Sequence, residues 1–437
     1  MNQHLFVPPK VEVEPFALSP AQVEANRLLG GLRRHILLRG GSRSGKTFVL
    51  CRAILARAIR IPSRHTILRA HFNHLKHSII GDTMPKVIAK CFPHLPSHDR
   101  MLNRTDWFLE LPNGSQILYG GLDDKERTEK ILGQEHSTIY LNEATQISYG
   151  SRNKAVTRLA QNVGHKLKMY YDCNPPNMGH WLYKVFMKKI DPTSGKLLTN
   201  PDMYATMKLN PRDNPKLDTT YLEELENLPA KERKRFLLGE FLPVVDGALW
   251  TMDLIDKHRV TADQLPEMQR IVIAIDPSGG KGPEDKRSDE VGITVTAKGK
   301  DKKGYVLEDA SGRYSPEGWA RLAGQLFHKW DADIIVGEKN FGGDMVRAVL
   351  HGYDNTLPFK EVTASRGKSV RAEPISGLYE KGKVFHLEIM PELEDQMCEF
   401  STAGYMGETS PDRADSAIWG LTELFIGAKT YGMMDVL

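Results

Sequence analysis

The segment Gly40-Gly41-Ser42-Arg43-Ser44-Gly45-Lys46-Thr47 reads G-x-x-x-x-G-K-[ST] in full. A loop of this kind needs a strand to deliver the chain into it and a helix to carry the chain away. Both are legible: the apolar run His35–Arg39 precedes it, and a helical pattern over Thr47–Ile59 follows. Glycine keeps side chains clear, so that backbone N–H groups face the β- and γ-phosphates of a nucleotide. Lys46 adds a cation, Thr47 offers its hydroxyl to Mg²⁺, and the helix N-terminus favours an anion. The segment therefore predicts an ATP and Mg²⁺ site on Gly40, Gly41, Ser42, Arg43, Ser44, Gly45, Lys46 and Thr47. It also restricts the surrounding fold to a layered α/β sheet.

The flanking sequence agrees with such a sheet. Short apolar runs (Thr66–Arg69, Thr138–Leu141, Leu167–Tyr171) alternate with helical patterns, as in a largely parallel sheet. Phe108–Leu111 and Gln116–Tyr119 flank Pro112-Asn113-Gly114-Ser115, a hairpin signal. Tyr221–Leu238 reads as helical. The run Thr138–Leu141 ends in Asn142-Glu143, the one good candidate for the second nucleotide-hydrolysis motif. Glu143 is positioned to orient and activate the attacking water. Asn142 stands where an acid is usual; its amide oxygen can accept from the magnesium shell but adds no charge. A third strand ends Tyr170-Tyr171-Asp172-Cys173-Asn174-Pro175-Pro176. Asn174 there can sense the γ-phosphate, although Asn-Pro-Pro is also a plain turn. Arg43 and Arg69 are candidates for stabilising transition-state charge, in cis or in trans. Each also reads as a surface arginine or a DNA-phosphate contact. His71, His74 and His77 read as a solvated helix face rather than a metal site.

The chain has 437 residues, enough for two or three domains at about 150 residues each. Lys and Arg number 59 against 55 Asp and Glu, a net +4, which permits nucleic-acid binding through local patches without demanding it. The four cysteines form no CxxC pair, which argues against a zinc ribbon or disulfide framework and fits a reducing compartment. There is no apolar run of about 18 residues and no secretory signal pattern at the N-terminus. The expected organisation is a P-loop ATPase motor domain over 1–245, with a helical lid at about 200–245. A Gly- and Pro-interrupted linker follows over 246–266, and a second domain over 267–437.

In the second domain three strands come in succession: Arg270–Asp276, Val291–Thr296 and Gly304–Asp309. A helix (Glu317–Trp330) and a strand (Asp333–Gly337) follow, then further alternation. The order β-β-β-α-β-α-β-α is that of an RNase H-like fold. In that order the first and fourth strands are neighbours and the last helix packs across them. Asp276, Glu338 and one of Asp412 or Asp415 then meet at one sheet edge. Three clustered carboxylates can hold two Mg²⁺ or Mn²⁺ about 4 Å apart for phosphodiester cleavage. Taken singly, each acid is also readable as structural, in an Asp-Pro turn or at a helix start. Asp289 and Asp344 are peripheral candidates, and Ser365–Arg371 is a basic loop suited to phosphate or to solvent.

In these residues the chain resembles the large terminase subunit of tailed bacteriophages, from about Pro20 to Leu424. The likeness rests on the phosphate loop with its internal Arg43, the strand ending Asn142-Glu143, Asn174, and Asp213-Asn214-Pro215. It extends to the stretches Gly337–Asp344 and Arg413-Ala414-Asp415-Ser416. Phe16, Pro20 and Gln22 precede the loop much as the family's adenine-binding segment does. The resemblance implies an N-terminal P-loop NTPase domain of the RecA/ASCE type followed by a C-terminal RNase H-like nuclease domain. It implies an ATP-driven motor that threads viral double-stranded DNA into a capsid, and a nuclease that cuts the concatemer. Implied partners are the small terminase subunit, the portal protein and other copies of the chain in a ring on the procapsid. Implied location is the host cytoplasm, with no membrane. Carried across, Lys46 and Thr47 bind ATP and Mg²⁺, Glu143 is the catalytic carboxylate and Asn174 couples hydrolysis to movement. Asp276, Glu338 and Asp412 bind the nuclease metals, with Asp415 as the rival third ligand. A reading from another class is a nucleic-acid-binding P-loop protein of structural or regulatory role, without nuclease activity. Convergence of the three acids discriminates the two. A small-molecule kinase gives the carboxylate-rich second domain no role.

Overall fold

The computed structural model describes residues 17–122, 131, 133–228, 230–277, 290–338, 344–363, 368–407 and 410–427. Phe16, Asp289, the stretch 339–343 and residues 365–367, all named above, lie outside the described residues.

The N-terminal sheet is built from β1 (His35–Gly40), β2 (Arg64–Arg69), β3 (Leu102–Asn103), β4 (Phe108–Glu110), β5 (Gln116–Gly121), β6 (Thr138–Leu141), β7 (Lys168–Cys173) and β8 (Tyr204–Leu209). Their order is β3-β4-β5-β2-β6-β7-β1-β8. All pairings from β5 to β8 are parallel. The β4–β5 hairpin and β3 add an antiparallel edge. A parallel strand covered on both faces must be apolar on both, and β1 is. Ile36 and Leu38 pack with Val49, Leu50 and Ile54 of the helix Lys46–Arg60. Leu37, on the other face, packs with Leu141, Tyr171 and Trp181. The region expected to be helical at Tyr221–Leu238 holds two helices, Thr219–Glu226 and Ala230–Phe236.

Parallel register carries the strands' C-terminal ends to one edge. Leu38 lies opposite Asp172 and Arg39 opposite Cys173. Leu141 lies opposite Tyr171, which sets Asn142 beside Asp172. The phosphate loop begins at this edge. Its first glycines are needed for packing as well as for phosphate. A Cβ at Gly40 would overlap the Leu209 carbonyl, and one at Gly41 would overlap the Phe236 carbonyl.

The C-terminal sheet contains β9 (Arg259–Val260), β10 (Met268–Asp276), β11 (Gly292–Gly299), β12 (Gly304–Asp309), β13 (Ile334–Glu338), β14 (Phe359–Val362) and β15 (Val384–Leu387). Its order is β14-β13-β10-β11-β12-β15-β9. β10, β11 and β12 form an antiparallel meander, and β13 runs parallel to β10. The helix Pro316–Trp330 covers one face with Ala320, Ala323 and Leu326 against Ile273 and Ile275. The helix Asp412–Phe425 covers the other, where Trp419 and Leu424 pack on Val272, Ala274 and Val336. The stretch 246–266, expected as a linker, carries the helix Met252–Lys257 and β9. Trp250, Met252 and Ile255 are buried in a core shared with Ala372, Tyr379 and Leu421. The sequence signal failed there because the burial is non-local: these apolar residues have no periodic neighbours in the chain.

The N- and C-terminal parts meet through hydrogen-bonded side chains on the helices Ala230–Phe236 and Pro391–Met397 and a loop after β7. Asp395 accepts from Arg235 at 3.0 Å and from Asn177 Nδ2 at 2.8 Å. Among the described residues no helix is long and apolar enough to cross a membrane.

The final helix approaches β11 closely enough that side chains are excluded at two points. A Cβ at Gly292 would overlap the Asp412 carbonyl, and one at Gly420 would overlap Thr296. Gly292→Ala should therefore push the helix start away and lower stability by about 1–3 kcal/mol. Thermal unfolding checks this, and an unchanged midpoint would contradict the close packing.

Candidate active sites

The phosphate loop turns into the helix Lys46–Arg60 through Gly45, whose φ of 87° suits a residue without Cβ. Lys46 is buried, and its ammonium donates to Gly41 O (2.7 Å), Gly40 O (3.0 Å), Asn174 Oδ1 (3.2 Å) and Ser44 Oγ (3.3 Å). Burial pushes its pKa down, while Asp172 and then Glu143 hold it up. Asn174 thus touches the loop lysine. Gln22, in the helix Pro20–Gly30, lies against Gly45 and caps its own helix through Ser19. A segment after β8 closes over the loop: Ser42 N–H donates to Phe236 O and Asn214 Nδ2 to Arg43 O. The Arg43 guanidinium lies over the Tyr221 ring. Arg69 sits elsewhere, donating to Asn142 Oδ1 at 3.2 Å and Ser78 Oγ at 3.0 Å.

Asp172 is the residue that sequence reading passed over. It is 1% exposed. Its carboxylate accepts from Glu143 N–H at 2.8 Å, Asn142 Nδ2 at 3.1 Å and Thr47 Oγ1 at 3.2 Å. The signal was in the sequence, as an acid near the end of the strand that pairs with the one leading to Asn142. Its importance needed the strand order. Glu143 has a φ of 51°, a backbone form that costs a non-glycine residue about 1 kcal/mol or more, and the bond to Asp172 holds it there. Burial and the Asp172 charge push the Glu143 carboxyl above its ordinary range, against Arg69, Lys46 and Arg235.

The second site lies at the C-terminal ends of β10 and β13. Asp276, Glu338, Asp412 and Asp415 are all buried, at 5%, 5%, 5% and 1% exposure. Asp276 and Glu338 end neighbouring parallel strands, and Asp412 and Asp415 occupy the first turn of the helix laid across them. Asp415 pairs with Lys368 at 2.7 Å and Arg371 at 3.4 Å. Glu338 accepts from Trp419 Nε1 at 3.0 Å and faces Arg371 at 3.9 Å. Arg413, legible from sequence only as part of a motif, clamps the helix start: it donates to Glu290 at 2.7 Å and 3.1 Å and to Asp309 at 2.8 Å. Among the described residues no three His, Cys, Asp or Glu side chains are arranged to hold a metal as they stand. The charge balance does fit a cation. Four buried carboxylates face two cationic side chains, and burial followed by Asp415, Asp412 and Glu338 pushes the Asp276 carboxyl well above its ordinary range. The donors are all hard oxygens, which suit Mg²⁺ or Mn²⁺.

The family model for the N-terminal part of the terminase large subunit, T4likevirus-type, matches residues 37–257. The terminase RNaseH-like domain model matches residues 273–424. Among solved structures, the large terminase of a thermophilic bacteriophage is similar at 12% identity, covering 94% of this chain and 100% of that one, with a TM-score of 0.46. The HK97 bacteriophage large terminase is similar at 12% identity over 94% of this chain and 96% of its own, with a TM-score of 0.40. The ATPase domain of a Thermus phage large terminase is similar at 15% identity over 52% and 95%, with a TM-score of 0.36. No curated protein matches the chain.

The raised Asp276 pKa has a definite sign for stability. The folded state takes up a proton that the unfolded chain releases near the ordinary value of 3.8. Stability from this group is therefore present at low pH and lost as pH rises from there through the raised value. In metal-free buffer near pH 7, Asp276→Asn should unfold at a higher temperature than the parent, and the gap should close toward about pH 4. Calorimetric melts across that range check it; a variant less stable than the parent at neutral pH would contradict the charge crowding.

Proposed function

Since this chain belongs to the large terminase subunit family, we propose that its two sites divide the work of packaging a viral genome between them. It is an ATPase and a nuclease, acting on DNA as the motor of a packaging complex. The observation that carries this is the pairing of two phosphate chemistries in one chain. One is a full phosphate loop facing Glu143; the other is a cluster of four buried carboxylates on a separate sheet.

In the N-terminal domain, Lys46 exchanges its bonds to the Gly40 and Gly41 carbonyls for the β- and γ-phosphates of ATP. Thr47 supplies a hydroxyl to Mg²⁺. Glu143 orients and deprotonates the attacking water, and its raised pKa makes it a better proton acceptor than an exposed carboxylate. Arg69 neutralises charge beside Asn142 and Glu143, and Arg43 links the loop to the lid helix through Tyr221. Asn174, bonded to Lys46, is the natural relay of phosphate occupancy to the rest of the sheet.

In the C-terminal domain, Asp276, Glu338 and Asp412, with Asp415 as the rival third ligand, would hold two Mg²⁺ or Mn²⁺. Bound there, such ions would supply Lewis-acid stabilisation of the attacking and leaving oxygens. Lys368 and Arg371 keep Asp415 and Glu338 in place and supply positive charge near the DNA backbone. The residues from Trp250 onward belong with this domain, which moves the boundary from the 246–266 stretch to its beginning. Double-stranded DNA, the small terminase subunit, the portal and a ring of copies on the procapsid in the host cytoplasm complete the proposal. A P-loop protein without nuclease activity is disfavoured, because it leaves the four carboxylates without work.

Lys46→Ala should abolish ATP turnover, and Glu143→Gln should bind ATP while losing about 10²-fold or more in hydrolysis. Steady-state phosphate release checks both. Asp276→Ala, Glu338→Ala and Asp412→Ala should each eliminate Mn²⁺-dependent cutting of plasmid DNA and leave ATP hydrolysis intact. Asp415→Ala should be as severe if it ligates a metal, and milder if it serves only Lys368 and Arg371. Cutting that persists in the Asp276 variant would remove the nuclease assignment.

A further inference from the structure

We infer that Asp172 on β7, and not Asn142 on β6, supplies the negative charge that holds the nucleotide's Mg²⁺ at the phosphate loop. The inference rests on the reading of that loop as the ATP site.

Both ends of the Asn142 amide are hydrogen-bonded to protein groups. Its Oδ1 accepts from Arg69, and its Nδ2 donates to Tyr140 OH at 3.0 Å and to Asp172 at 3.1 Å. The amide orientation is fixed by chemistry, since a guanidinium only donates and a carboxylate only accepts. The amide oxygen is therefore turned to Arg69, and the face toward Asp172 is the NH₂ group, which repels a cation. Asp172 has the opposite character. Its Oδ2 lies 3.2 Å from the Thr47 hydroxyl, the group that a phosphate loop offers to the ion.

Strand order gives the geometric reason. β7 is hydrogen-bonded directly to β1, which delivers the loop, while β6 is one strand further out. An acid at the end of β7 reaches Thr47 without spanning a second strand spacing of about 4.8 Å. A carboxylate thus stands one strand closer to the loop than position 142, and Asn142 is a donor that orients it. The Glu143 N–H bond to the same carboxylate would tie the hydrolytic loop to the state of the ion.

The test reads metal dependence without turnover. Binding of a fluorescent ATP analogue to the full chain is titrated with Mg²⁺, for the parent, Asp172→Asn, the exchanged pair Asn142→Asp with Asp172→Asn, and Lys46→Ala. Asp172→Asn keeps an oxygen acceptor for the Glu143 N–H, so a purely positional role predicts an unchanged Mg²⁺ requirement. The inference predicts a requirement raised about 10–100-fold. The exchanged pair puts the carboxylate at position 142, one strand further out and facing Arg69, and should not recover that loss. If Asp172→Asn fails to fold, the exchanged pair measured against the parent carries the test. An unchanged Mg²⁺ requirement in Asp172→Asn, or an exchanged pair with the parent's requirement, overturns the inference. The ATP-site reading survives either result so long as Lys46→Ala loses nucleotide. Nucleotide bound by Lys46→Ala as tightly as by the parent would remove both.

Discussion

The Asp172 carboxylate accepts hydrogen bonds from the phosphate-loop helix, through Thr47, and from the end of β6, through Asn142 and Glu143. A buried charge of this kind is tolerable only when its lone pairs are satisfied and cations stand near it. Lys46 is the nearby cation, while Asn142 and the Glu143 N–H supply the donors. Because every one of these groups ends a strand or begins a helix, the carboxylate fixes how those elements meet. The left-handed turn at Glu143, the seat of Lys46 and its bond to Asn174 follow from it. Deleting any one donor exposes the others to an unmatched charge, so the site should behave as a unit rather than as a sum of contacts.

The C-terminal site is built on the opposite imbalance. Here four carboxylates converge with two cationic side chains, and the deficit falls on Asp276. Such crowding costs stability and is kept up by elements that have no chemical role. Arg413 clamps the first turn of the last helix to Glu290 and Asp309. Gly292 and Gly420 let that helix lie close on β11. The helix must be near, because its first turn carries two of the acids. A proton on Asp276 relieves part of that excess charge, and a divalent cation bound at the proposed site would relieve the same excess.

The sites are separate but not isolated. Arg235, in the helix Ala230–Phe236, pairs with Asp395 of the C-terminal part and acts electrostatically on Glu143. The same helix supplies the Phe236 carbonyl that accepts from the loop's Ser42 N–H. One short helix therefore contacts the phosphate loop and the C-terminal part together.

The contiguous motif Gly40–Thr47, the strand ending in Glu143, and the β-β-β-α-β order that pairs β10 with β13 were all legible in the sequence. Each is written in neighbouring residues or in the order of apolar runs, and backbone geometry does the rest. Asp276, Glu338, Asp412 and Asp415 could be named in advance for that reason. The roles of Asp172, Arg413 and Arg371 could not, and the segment around Trp250 has the composition of a linker yet is packed in a core. Their meaning depends on which distant residue lies within about 3–4 Å. Asn142 shows the division most plainly. From sequence it is an amide oxygen available to an ion; folded, that oxygen faces Arg69, and the charge it lacks stands on the adjacent strand. The sequence alone determined which chemistries the chain carries, because catalytic loops and strand order are local patterns. Only the tertiary structure decided which carboxylate serves which cation, because the matching of buried charge acts through space and leaves no local pattern to read.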